Sequence, residues 1–63
     1  MKKFTYVEFR GFKDKEVPAF EIEIDSKSTF DWLISAGFQS KIVQSCHLID
    51  NESGKLVDSY RKG

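Results

Sequence analysis

The sequence predicts an α+β domain of order β-β-α-β-β, a four-stranded, largely antiparallel sheet with one short helix packed on one face. Three observations carry this. Residues 19–25 alternate apolar and acidic side chains with the period of a half-buried strand. Phe30, Leu33, Ile34 and Gly37 recur at helical spacing behind a cluster of N-capping residue types. Two polar segments, at 11–16 and 50–55, each separate runs of aromatic and β-branched residues, as hairpin turns do. With 63 residues the chain makes one domain, residues 1–63.

The elements follow in order. Lys3–Arg10 is rich in aromatic and β-branched types and reads as the first strand. Gly11 opens a polar hairpin loop. Pro18 cannot donate to a sheet ladder, which places it at a strand's start or on an edge. Phe20, Ile22 and Ile24 then share one face of the second strand, with Glu21 and Glu23 on the other. Asp25, Ser26 and Ser28 are candidate N-caps, and Asp31 stands three residues after Ser28. The helix is about ten residues long, too short to stand without packing, and Gly37 closes it as a C′ residue. Residues 41–49 make the third strand, Asp50–Lys55 a turn with Gly54 late in it, and 56–60 the fourth strand, with residues 61–63 frayed.

In length and element order the chain resembles the small β-grasp immunoglobulin-binding domains, in topology and without a shared motif. That resemblance implies a sheet with the first and last strands side by side in its middle.

Composition bounds the function. The chain is 40% apolar and 32% charged, with no apolar run long enough for a membrane span. A single Cys46 excludes an internal disulfide and suits a reducing compartment, and one Cys with one His is too few for a structural zinc site. The basic start at Lys2 and Lys3 leads into Glu8 and Arg10 with no signal-peptide core, so a cytoplasmic protein without metal or cofactor is expected. Net charge is zero, yet residues 1–15 carry +3 and residues 16–37 carry −4. Cross-strand pairing accounts for that segregation.

No catalytic set emerges, and a non-enzyme is expected. Cys46 and His47 are adjacent on a strand, so they point to opposite faces. Glu21 and Glu23 stand roughly 7 Å apart on one strand face, as a solvated pair rather than an acid/base couple. Asp50–Gly54 lacks the ligand register of a calcium loop. Gly11, Gly37, Gly54 and Gly63 form no phosphate-binding loop.

What remains is a question of coverage. Three of the four strands carry apolar residues on both faces, and one short helix covers only one. The second face is therefore expected to expose large apolar groups, with Phe4 or Tyr6 and Tyr60 foremost; strong twist and the loops around Phe12 and Phe38 are the competing cover. Trp32, on the helix flank, is a core-edge residue or an anchor for a partner. The expected function is a non-catalytic protein-binding module, an accessory regulator or inhibitor that docks on a protein partner or on itself as a homodimer, through Phe4, Tyr6, Trp32 and Tyr60. The alternative is single-stranded nucleic-acid binding, with Phe4, Tyr6 and Tyr60 stacking on bases and Lys2, Lys3, Arg10, Arg61 and Lys62 at the rim. Zero net charge disfavours it.

Overall fold

The computed structural model describes residues 2–62; the side chain of Phe12 lies outside the description, and with it that residue's expected covering role. The elements are β1 (Phe4–Phe12), β2 (Lys15–Ile24), α1 (Lys27–Gly37), β3 (Val43–Asp50) and β4 (Leu56–Arg61). They form one four-stranded antiparallel sheet of order β2-β1-β3-β4, as the α+β, β-β-α-β-β reading required.

The strand order corrects the β-grasp arrangement: β1 pairs with β3, and β4 lies on an edge. Side-chain chemistry explains the choice. A central strand is covered on both faces and needs apolar groups on both. β1 has Phe4 and Tyr6 on one face and Val7 and Phe9 on the other, and β3 has Cys46 and Leu48 against His47 and Ile49. β4 places Asp58 and Ser59 at its middle and cannot be buried that way.

Hairpin β1–β2 is tighter than expected. Gly11 continues the strand, and the turn is Lys13-Asp14, with Lys13 at φ 57°. Pro18 sits within β2, an edge strand, beside a register shift that leaves Ala19 unpaired. Two further shifts fall at Gln44 and Val57. Such bulges increase local twist. The C-terminal end is held further than expected: Arg61 belongs to β4, and the Lys62 amide donates to the Gln44 carbonyl at 2.8 Å.

Of the candidate caps, Ser26 is the one used; its Oγ accepts from the Thr29 amide. α1 turns Phe30 fully into the core, with Leu33, Ile34 and Phe38 packed around it. Gly37 lies inside the helix rather than beyond it. Its role is close approach: a Cβ there would stand 2.6 Å from Glu8 Oε2 and 3.2 Å from the Tyr6 hydroxyl.

Phe4, Tyr6, Ile24, Phe30, Val43, Cys46 and Leu48 form the core between helix and sheet. Phe4 and Tyr6 were expected on the uncovered face, and this is corrected: the pleat that sends Val7 and Phe9 outward sends them under the helix. The back of the sheet carries Thr5, Val7, Phe9, His47 and Ile49, with Leu56 of β4 paired to Ile49. Val7 is buried there, Leu56 is exposed, and the other four are half-buried. Arg61 on one edge strand makes a two-pronged ion pair with Glu16 on the other, so the sheet curls toward its back face and shelters it. Twist thus supplies much of the second cover.

Candidate docking groove

A contiguous stretch of uncovered apolar surface lies beside the helix, along β2. α1 sits over the middle of the sheet and toward β4. Lys27 reaches Asp58 at 3.8 Å, and the Phe30 ring packs on that of Tyr60 at 5.8 Å between centroids. On the other flank it covers only the end of β2: of ten residues in that strand, Ile24 alone is buried. Val17, Phe20 and Ile22 share the helix-side face of β2 with Ile24, and they are 41%, 41% and 43% exposed. Alternation and edge position together leave an apolar ribbon along a free strand edge.

The groove between this ribbon and α1 has a polar end. A cleft of about 330 Å³ there is lined by Glu8, Arg10, Phe20, Leu33, Ala36, Gly37, Ser40 and Val43. Glu8 is buried, and its Oε2 accepts a hydrogen bond from the Tyr6 hydroxyl at 2.6 Å. Cys46 Sγ stands 3.2 Å from the phenol oxygen, within hydrogen-bonding distance. Burial first, then the hydrogen bonds to Cys46 and Glu8, hold the Tyr6 phenol far above its ordinary range. Burial also pushes the Cys46 thiol up, aided by the Glu8 charge and opposed by the Tyr6 hydrogen bond. Cys46 is thus a packed thiol rather than a thiolate. His47 faces the back of the sheet against Phe9, at 4.9 Å between ring centroids, so the pleat separates it from Cys46. Arg10 differs from its neighbours: its Nε is buried with no hydrogen-bond partner, and the guanidinium makes no ion pair among the described residues.

The sequence-predicted partner residues scatter. Phe4 and Tyr6 are core. Tyr60 lies on the far side of α1, half-covered by Phe30. Trp32 is 68% exposed on α1, one helical turn before Ala36, and is not among the residues that line the cleft. The sequence places Phe20 and Ile22 with Ile24 on one face of β2, and they do share it; Pro18, read as a strand start or an edge, marks the edge that leaves them uncovered.

The cations of the nucleic-acid alternative do not converge. Strands β1 and β4 are separated by β3. Lys2 pairs with Asp25 at 3.9 Å, and Lys3 lies over the Phe4 ring at 5.5 Å. At the opposite end of the sheet Arg61 pairs with Glu16, and Lys62 Nζ donates to the Ser40 carbonyl. The buried rings of Phe4 and Tyr6 offer no face to a base.

Comparison with known protein families, with curated proteins and with solved structures returns no match for this chain. Among the described residues no helix is long and apolar enough to cross a membrane, and no group of three or more His, Cys, Asp or Glu side chains gathers as metal ligands.

Proposed function

We propose that this chain is a non-catalytic protein-binding module, acting as an accessory regulator or inhibitor by occupying a surface of another protein. The observation that carries the reading is the ribbon Val17, Phe20 and Ile22 on a free strand edge, beside a groove lined by Phe20, Leu33 and Ala36. Contiguous exposed apolar side chains beside an open edge are a contact surface in soluble proteins. A protein partner fits this surface better than a second copy. In antiparallel self-pairing of β2 about residues 21–23, each register sets a carboxylate of Glu21 or Glu23 opposite another carboxylate, which destabilises the ladder.

Selection of binders from a random-peptide library tests the reading, with wild type, Ile22→Lys and Val57→Lys as baits. Both substitutions lie at exposed edge positions. Binders are expected on wild type and on Val57→Lys and are expected to be lost on Ile22→Lys. Binders indifferent to Ile22→Lys, or no binders at all, would overturn it. Sedimentation over a range of concentrations gives the companion measurement, with a monomer expected.

A further inference from the structure

The groove has a direction, and its two faces differ in charge. β2 presents an unpaired edge along Ala19–Ile24, and Pro18, lacking an N–H, ends the ladder at the other side. A strand added antiparallel to β2, as every neighbour in this sheet is, runs from the Ile24 end toward Pro18. Its carboxyl end therefore arrives level with Arg10, which pairs across from Val17 and lines the cleft beside Phe20, and whose guanidinium has no ion pair among the described residues. On the face away from the helix β2 carries Glu21 and Glu23, both exposed. Glu21 has no ion pair among the described residues, and Glu23 accepts only from the Asn51 side-chain amide at 3.2 Å.

We infer that the groove takes an extended peptide segment with a basic/apolar alternation that adds as a fifth strand to β2 and sets a carboxylate on Arg10. The inference rests on the protein-binding reading above and names the chemistry of the partner. Apolar side chains on one face of the segment fill the space between Phe20 and Ile22 and the helix residues Leu33 and Ala36. Lysine or arginine on its other face lies opposite Glu21 and Glu23, where cross-strand pairs of opposite charge are stabilising. The guanidinium at the cleft gains a charge-assisted bond that no described residue gives it. Glu8 does not compete for it: its Oε2 holds the Tyr6 hydroxyl, under Gly37. The carboxylate has two sources, a chain terminus or an Asp or Glu side chain at that position.

The test is fluorescence anisotropy with labelled octapeptides of alternating lysine and valine. One ends in a free carboxylate, one in an amide, and one in an amide with aspartate as the last residue. The free acid or the aspartate peptide is expected to bind wild type about tenfold more tightly than the plain amide, which is the scale of one charge-assisted bond. The better of the two identifies the source. Arg10→Met is expected to erase that difference, with the amide bound as before, and Glu21→Gln with Glu23→Gln to weaken all three. Near-UV circular dichroism establishes that each variant is folded, and the acid/amide ratio on wild type needs no variant. Equal binding of all three peptides to wild type would overturn the inference while leaving protein binding at the groove standing. No binding of any of them, with library binders still lost on Ile22→Lys, would overturn the strand-addition chemistry alone. Loss of both would remove the two readings together.

Discussion

Tyr6 is the residue on which the interior turns. Its ring packs edge-on against Phe20 and Phe30, at 6.2 and 5.9 Å, and its hydroxyl satisfies the buried Glu8 carboxylate. Tyr6→Phe keeps the ring and strands the carboxylate, which loses its one hydrogen bond. Removing a partner from a buried charged acceptor costs roughly 1.5–3 kcal/mol, more than deleting a neutral bond, so urea denaturation is expected to show a loss of that size. Tyr6 and Cys46 also set a pH limit. Both are held protonated in the fold, so the unfolded chain releases their protons first as pH rises. Stability is therefore full well below about pH 8.5, where the unfolded thiol is half ionised, and falls progressively as pH rises through that value. Denaturation midpoints across pH 7–10.5 check this, and Cys46→Ala is expected to flatten the first part of the decline.

At the scale of elements, the helix end and the strand edges do different work. Gly37 lets α1 descend onto Glu8 and Tyr6. Alanine normally gains about 1 kcal/mol over glycine inside a helix, and here its methyl group would displace the hydrogen-bonded carboxylate. Gly37→Ala is expected to lower the thermal midpoint; a higher midpoint would show that Glu8 moves aside freely. Element type was legible in the sequence because alternation in β2 and the Phe30-Leu33-Ile34 spacing are local signals. Gly37 as a stop signal was misread, because a glycine chosen for contact and one chosen for its backbone freedom look alike in sequence. The contact involves Glu8, 29 positions away. Strand order was illegible for the same reason. It depends on which strands tolerate burial on both faces, and Asp58-Ser59 in β4 settles that only once the competing arrangements are compared.

For the whole molecule the decisive fact is offset. One 11-residue helix over a sheet with a 10-residue outer strand cannot be centred on all four strands. It favours β3 and β4, through Phe30, Tyr60 and the Lys27–Asp58 pair, and leaves β2 bare. A shortage of cover is legible in the sequence, but Phe4 and Tyr6 are not its site, because the pleat turns them under the helix. Sheet curl, set by the bulges and the Arg61–Glu16 link, has no local signal in the sequence. So small a core leaves little margin. Stability of roughly 0.05–0.15 kcal/mol per residue gives about 3–9 kcal/mol in total, a domain this small belongs at the low end, and Phe30→Ala costs about 3–5 kcal/mol. That variant is expected to be largely unfolded at 25 °C by far-ultraviolet circular dichroism; a cooperative transition near the wild-type midpoint would place the core elsewhere.

One consequence of the position of Trp32 is practical. The only indole in the chain is in water on the native helix and remains in water when the chain unravels. Its emission colour should change little on melting, so the melt is better followed through backbone ellipticity or tyrosine absorbance. A blue shift of that emission on mixing with a tryptophan-free peptide would instead report that something has closed over Trp32, without a dye attached to either molecule.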